Sequence, residues 1–368
     1  MKKIAIIFLT LVLMIPFTSQ AQGCMESDSD DGVAVVGYIQ GSYDHYLFDQ
    51  DKNGNTENNA SSFYFKRARV GFIGSIPYDV SYYVMAEFSP ATGGPYLLDA
   101  FVTYAPLGKY MKFTLGQFKS PVGLELNTGC HALHTIRRST VVNNLAAPFR
   151  DMGFMVMGSS DSLLGIHNLI SYKIGLLNGT GMNHWDDNKH LDFAARLIVS
   201  PIEWVKIGAS FRTGKQGIKK TDVVQTERLR YGADLSVEYK NFILQGEYLM
   251  GKDIGKASSG GGCGGKSSAT TTSEKTEFNK SGFFVQAMYM TPFNLQPVVK
   301  YETYDPDETA YNYLNVEQKF IQSTLTVGLN YFINDWTRVQ LNYLMNKEEN
   351  SDYEFNNDAI LLQIQAKF

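Results

Sequence analysis

Arginine is the residue type with which this chain is best equipped to do chemistry. The segment SPVGLELNTGCHALHTIRRSTVVNNLAAPFRDMG, residues 120–153, carries Arg137, Arg138 and Arg150 with few balancing acids. A guanidinium presents a planar fork of donors that matches carboxylate or phosphate oxygens two at a time. Arginines gathered in this way suit capture of an oxyanion, and a connection of this length usually serves a function. The competing reading is an exposed loop whose arginines are simply solvated.

Other reactive patterns carry less. Cys130, His131 and His134 fall in the same loop without the paired ligand set that a zinc site shows. Gly260 to Ser267 fits the spacing GxxxxGK[ST], but a phosphate loop needs a strand before it and a helix after it. Here the flanks are a polar, low-complexity tract, which predicts a flexible loop. His45, His167, His184 and His190 are scattered, and no Ser–His–acid set assembles on one face. No cofactor, metal or nucleic-acid partner is implied, and the chain reads as a non-enzyme.

The elements that must position the arginines are strands. From Asp358 onward Ile360, Leu362, Ile364, Ala366 and Phe368 alternate with Gln363, Gln365 and Lys367. Successive side chains of a strand face opposite ways, so one face is apolar and the other polar. The same period predicts sixteen strands, starting near Val33, Ser62, Val80, Tyr96, Met111, Met152, His167, Leu191, Glu203, Arg228, Phe242, Gly282, Leu295, Thr324, Trp336 and Asp358. Short connections such as 200–202 and 240–241 alternate with long ones such as 44–61, 120–151 and 251–281. An even number of strands, turns alternating with loops, and a terminal aromatic predict an all-β transmembrane antiparallel barrel whose short turns face the periplasm.

The ends and composition agree. Lys2 and Lys3, the apolar run Ile4–Phe17 and Ser19-Gln20-Ala21 predict a cleaved signal peptide over 1–21, too short to span a membrane. Gly23-Cys24 leaves lipidation as a minor alternative. Residues 22–32 read as a flexible acidic lead-in, and 33–368 as one barrel with loop 120–151 folding inward. Aromatic residues make up 13% and charged residues 19%, a balance that suits many short amphipathic strands better than a helical enzyme. The three cysteines, widely spaced, give no disulfide framework. The implied place is the outer membrane of a Gram-negative bacterium.

Sixteen strands enclose a water-filled channel, so the polar face of each strand lines it. Alternation puts Arg67, Arg69, Lys173, Arg196, Lys206, Arg212, Arg228, Arg230 and Arg338 inside, with Lys112, Lys300 and Lys367. The acids on that face are Glu87, Asp99, Asp192, Asp234, Glu238, Glu247 and Glu302, although the whole chain is net −4. A basic excess in the lumen attracts anions. The alternative is mutual cancellation, with Asp234 and Glu238 beside Arg228 and Arg230 as candidate pairs.

The stretches FKRARVGFIGSI (65–76), LLDAFVTYAPL (97–107), LGQFKSPVGLE (115–125), APFRDMG (147–153), YKIGLLNGTG (172–181) and DFAARLIVSP (192–201), with terminal Phe368, resemble the phosphate-selective porin O and P family. The resemblance implies a sixteen-stranded barrel, usually trimeric, that passes phosphate or other small anions past a constriction formed by its third loop. It carries Asp99, Lys119, Arg137 or Arg138, and Arg150 to that constriction, and Lys215, Lys219 and Lys220 to a basic outer funnel. Two adjacent arginines and two histidines in the loop depart from the single Arg beside an acid of related chains. A porin without anion preference, an adhesin or receptor acting through its loops, and a barrel-embedded lipolytic enzyme remain the alternatives.

Overall fold

The computed structural model describes residues 32–47, 61–163, 165–216, 226–254, 277–306, 321–349 and 357–368. The expected signal peptide over 1–21, the lead-in up to Asp31, Lys219, Lys220 and the glycine-rich 260–267 segment lie outside the described residues. Sixteen antiparallel strands form one closed barrel. They are β1 Gly32–Tyr46, β2 Ser62–Ile76, β3 Val80–Glu87, β4 Tyr96–Tyr104, β5 Lys112–Lys119, β6 Arg150–Ser159, β7 Ile170–Leu177 and β8 Asp192–Ile202. The second half runs β9 Val205–Gln216, β10 Thr226–Tyr239, β11 Phe242–Ile254, β12 Glu277–Tyr289, β13 Leu295–Asp305, β14 Gln322–Phe332, β15 Thr337–Glu348 and β16 Ala359–Lys367. The expected strand starts hold closely. Two depart: Gly282 lies five residues inside β12, which starts at Glu277, and His167 belongs to a two-residue hairpin strand inside the β6–β7 turn.

Each strand pairs with its neighbours in sequence, and β1 closes on β16. No described helix is long and apolar enough to cross a membrane. Every spanning backbone must instead bond to its neighbours, because lipid offers no partner. Burial alternates accordingly: in β16 Ile360, Leu362 and Ile364 are exposed outward while Gln363 and Gln365 are buried within. Tyr78, Tyr110, Trp204, Tyr239, Phe293, Trp336 and Phe368 are exposed at the end bearing the short turns. They form a girdle suited to the boundary between hydrocarbon and head groups. Two of those turns are tight enough to need the left-handed conformation, at Lys240 (φ 52°) and Asn294 (φ 59°).

The seam explains the terminal aromatic. Gly37 N–H donates to the Phe368 carbonyl (2.8 Å), and Phe368 N–H donates back to the Gly37 carbonyl (3.0 Å). A Cβ on Gly37 would stand 2.7 Å from Cζ of the Phe368 ring and would also meet the Arg69 carbonyl. Only glycine lets that ring lie across the first strand. Gly37→Val should therefore cost on the order of 1–3 kcal/mol through overpacking. Thermal unfolding in detergent should show a lower midpoint for Gly37→Val. Gly41→Ala, whose Cβ would meet only Ile364 at an ordinary 3.6 Å, should unfold like the unsubstituted protein.

Candidate functional site

The segment 120–149, between β5 and β6, folds into the barrel and is clamped to its far wall. Its entry is fixed by Glu247 of β11, whose Oε2 accepts the Leu124 and Glu125 N–H groups at 3.1 and 2.8 Å. Ser210 of β9 accepts the Gly123 N–H at 2.9 Å. Gly123 is left-handed (φ 69°), and a side chain there would run into the Glu247 carboxylate. Two short helices follow, α1 (Leu124–Asn127) and α2 (Thr140–Leu145). Glu302 of β13 accepts both the N–H and the hydroxyl of Thr140, each at 2.9 Å. Lys300 bridges Glu125 of the loop (2.9 Å) and Glu302 of the wall (3.3 Å). Asn342 of β15 accepts the Ile136 N–H at 2.8 Å.

Apolar contact completes the clamp. Val122, Leu126, Val141, Val142 and Leu145 pack against Leu249, Phe284 and Tyr304, which point inward from β11, β12 and β13. Ile136 does the same against Leu344 and Leu361 of β15 and β16. Apolar side chains on the wet face of a barrel would otherwise be unfavourable. Here each gains roughly 1.5–3 kcal/mol by being covered.

Most of the lumen cations expected from alternation do face inward, yet many are already neutralised. Arg196 makes a two-point ion pair with Asp234 (2.6 and 2.8 Å). Arg212 sits between Asp192 (2.7 Å) and Asp151 (3.3 Å), and Arg228 shares Asp192 at 3.3 Å. Arg230 reaches Asp253 at 2.6 Å, and Lys206 stands 4.0 Å from Glu238. The pairs thus run between strands, and the expected coupling of Arg228 and Arg230 to Asp234 and Glu238 along one strand is corrected. The barrel's register decides which charges are within reach, because cross-strand neighbours stand about 5 Å apart. Within the constriction Arg69 pairs with Glu87 (2.7 Å), Arg150 with Asp99 (2.9 Å) and Arg137 with Asp44 (2.7 Å). Lys173 faces inward opposite Arg196 in register, and Lys215 accompanies the rim of β9.

A smaller set differs. Lys66, Arg67, Lys119, Arg138 and Arg338 have no carboxylate within ion-pair distance among the described residues. Arg67 donates to the Gln40 side-chain carbonyl (2.7 Å), and Lys119 to the Thr128 carbonyl (3.0 Å). Arg138 donates to the Glu125 and Thr128 carbonyls at 3.2 and 3.0 Å. Arg338 donates to the Gln365 side-chain carbonyl at 3.2 Å. Lys66, Arg67 and Arg138 line one open cavity of about 640 Å³ above the loop, with Arg69, Arg137 and Arg150. Cys130 lies at the centre of the group, its Sγ 3.3 Å from Arg69 and 3.4 Å from Arg138. Burial alone raises the Cys130 thiol. The charges of Arg138, Arg67, Arg69 and Lys119 outweigh that and hold it well below its usual range. His131 and His134 are depressed to about 4, in both cases chiefly by burial, and are neutral near pH 7. No cluster of three or more metal-ligating side chains occurs among the described residues.

Strict alternation places Lys66 outside, and the structure brings it in. Between Gln40 and Gly41 the β1–β2 register slips, so Lys66 is an extra residue on β2. A second slip, opposite Met85 and Ala86, makes Leu98 the extra residue on β4, and Leu98 and Asp99 are both buried. Such bulges re-aim side chains, and they commonly flank binding sites. Removing the loop's entry clamp tests the rigidity of this arrangement. Glu247→Leu strands two backbone donors, each at roughly 1–3 kcal/mol. Single-channel recordings should show larger, noisier conductance than the unsubstituted protein; identical amplitude and noise would mean that the clamp does not hold the loop.

Comparisons with known proteins fit this geometry. The chain superposes on the anion-selective porin of Comamonas acidovorans with a TM-score of 0.63 at 12% identity, covering 92% of this chain and 99% of that one. The outer-membrane channel DcaP of Acinetobacter baumannii gives 0.62 at 15% identity, covering 94% and 99%. Vibrio cholerae OmpT in its trimer form gives 0.60 at 10% identity, covering 92% and 99%. Identities this low establish the shared barrel alone. A search of curated proteins by sequence finds no match. The model of the family described as phosphate-selective porin O and P matches residues 37–203 and 182–368. The chain belongs to that family and is an outer-membrane β-barrel porin.

Proposed function

We propose that this porin lets small anions, inorganic phosphate among them, diffuse passively across the outer membrane through its basic constriction. The supporting observation is the convergence of Lys66, Arg67 and Arg138 on one open cavity, without a carboxylate partner among the described residues. Ion-paired arginines hold no surplus charge for a passing solute, whereas these do. An anion entering the cavity exchanges part of its water for guanidinium and ammonium donors. It leaves because several weak sites share it and no single one surrounds it. Phosphate as the permeant anion is suggested by the family's description, and general anion preference by the Comamonas relative.

The remaining parts of the proposal follow the same lines. No bond is made or broken, and no cofactor takes part. Residues 1–21 act as the export signal. The apolar exterior meets lipid, and three copies assemble, as in the trimer form of the Vibrio protein. Asp99 and Glu87 fix Arg150 and Arg69 at the wall of the same cavity, where they shape it without adding surplus charge. Lys215, near the end of β9, helps gather anions there.

The test is bilayer recording with chloride as carrier and phosphate as blocker. One unit charge at about 4 Å in water is worth roughly 1 kcal/mol, or about fivefold in occupancy. Arg67→Gln combined with Arg138→Gln should raise the phosphate concentration for half-block by at least about that factor. Arg196→Gln with Asp234→Asn, which removes a whole ion pair and leaves the net charge unchanged, should leave that concentration within about twofold. Equal block in the Arg67 and Arg138 double variant and the original would remove the two arginines from the anion path.

A further inference from the structure

We infer that the constriction is shaped for a small organic anion, in which an oxyanionic head is carried on an apolar body, rather than for a bare inorganic ion. This rests on the anion reading above and narrows it. The cavity that Lys66, Arg67 and Arg138 line is bounded elsewhere by Tyr96, Leu98, Phe149 and Met182. Behind that apolar stretch, Leu98 packs with Val36, Ile73 and Met85, while Tyr83, Tyr96 and Met182 lie half-buried against them.

The inward loop covers two other apolar patches of the lumen, one around Leu249 and Phe284 and one around Leu344 and Leu361. It contributes no residue to this one among the described residues. Half-buried Tyr96 and Met182, with Phe149 from the end of the loop, border a wet passage beside cations that have no carboxylate partner among the described residues. The Leu98 bulge adds to the effect, for it turns an extra apolar side chain inward on the same strand that supplies Asp99.

Size and chemistry then decide between solutes. Cavities of roughly 300–1,000 Å³ hold drug-sized organic molecules, and this one measures about 640 Å³. An oxyanion a few ångströms across uses a small part of that space. It gains nothing from an apolar wall, against which its hydration is lost without return. A carboxylate or phosphate ester with a ring or chain uses both sides at once. Its head meets Arg67 and Arg138, and its body covers Tyr96, Leu98 and Met182. Arg138 already lies over the Phe149 ring, with Cζ 5.6 Å from the centroid, so a flat face is available for a planar solute to extend the stack.

Matched pairs of blockers test this with the full-length exported protein in planar bilayers. Benzoate is compared with acetate, and phenyl phosphate with inorganic phosphate, each against chloride current. Hiding roughly 50 Å² of apolar surface is worth about tenfold in affinity. Benzoate and phenyl phosphate should reach half-block at about tenfold lower concentration than their partners. Substituting Tyr96→Ser together with Met182→Gln, both half-buried, should shrink that ratio below about threefold, with an unchanged chloride conductance showing that the barrel has folded. A gain confined to one head group would support the inference for that head group and overturn it for the other. Equal block within both pairs, or a ratio that survives the double substitution, would overturn this inference while leaving anion passage standing. A cation-selective current, or none, would sink the underlying anion reading as well.

Discussion

A backbone crossing lipid must find all its hydrogen-bond partners within the protein, and that requirement organises this molecule. It forces the strands to close, β1 on β16, and it makes the Gly37–Phe368 exchange of hydrogen bonds the final closure of the cylinder. Closure separates two environments, an apolar exterior and a polar lumen, at every strand. The lumen of a sixteen-stranded barrel is too wide to be filled by its own side chains. Segment 120–149 narrows it, and the wall presents an apolar and a charged surface for that segment to rest on.

Electrostatics inside the lumen divides into two jobs. Paired arginines such as Arg196 and Arg212 brace the wall: each is almost fully buried beside a carboxylate. Losing one member would leave the other charge stranded at a cost of about 3–5 kcal/mol. Arg67, Lys119 and Arg138 have carbonyl or amide partners, and these three and Lys66 have no carboxylate within ion-pair distance among the described residues, so they retain a net field. Crowding of that field around Cys130 is what holds the thiol's affinity for its proton low. What distinguishes these cations from the bracing ones is the lack of an acid partner among the described residues, not their number.

Much of the fold could be read from period-two alternation because membrane strands expose one face to hydrocarbon throughout their length. The strand starts, the short and long connections and the terminal Phe368 all follow from that. Two local events escaped it. An extra residue at Lys66 and another at Leu98 each shift the alternation by one, and nothing in FKRAR or LLDAF signals where the register slips. Ion pairing was also out of reach, since Arg230–Asp253 joins adjacent strands and Arg228–Asp192 reaches across β9, both at heights that only the closed barrel sets. One readable signal was overlooked: Leu249, Phe284, Leu344 and Leu361 are apolar on faces otherwise lining the channel. Such residues mark where an inward segment must sit.

The central claim is that surplus positive charge resides at the Lys66, Arg67 and Arg138 cavity and not along the braced wall. Anomalous diffraction from crystals soaked in bromide would locate luminal anions directly. The account requires bromide within about 3.5 Å of Arg67 or Arg138 donors, the ordinary reach of a charge-assisted contact to a large halide. Bromide found only beside Arg196, Arg212 or Arg228, with the cavity empty of it, would contradict the account.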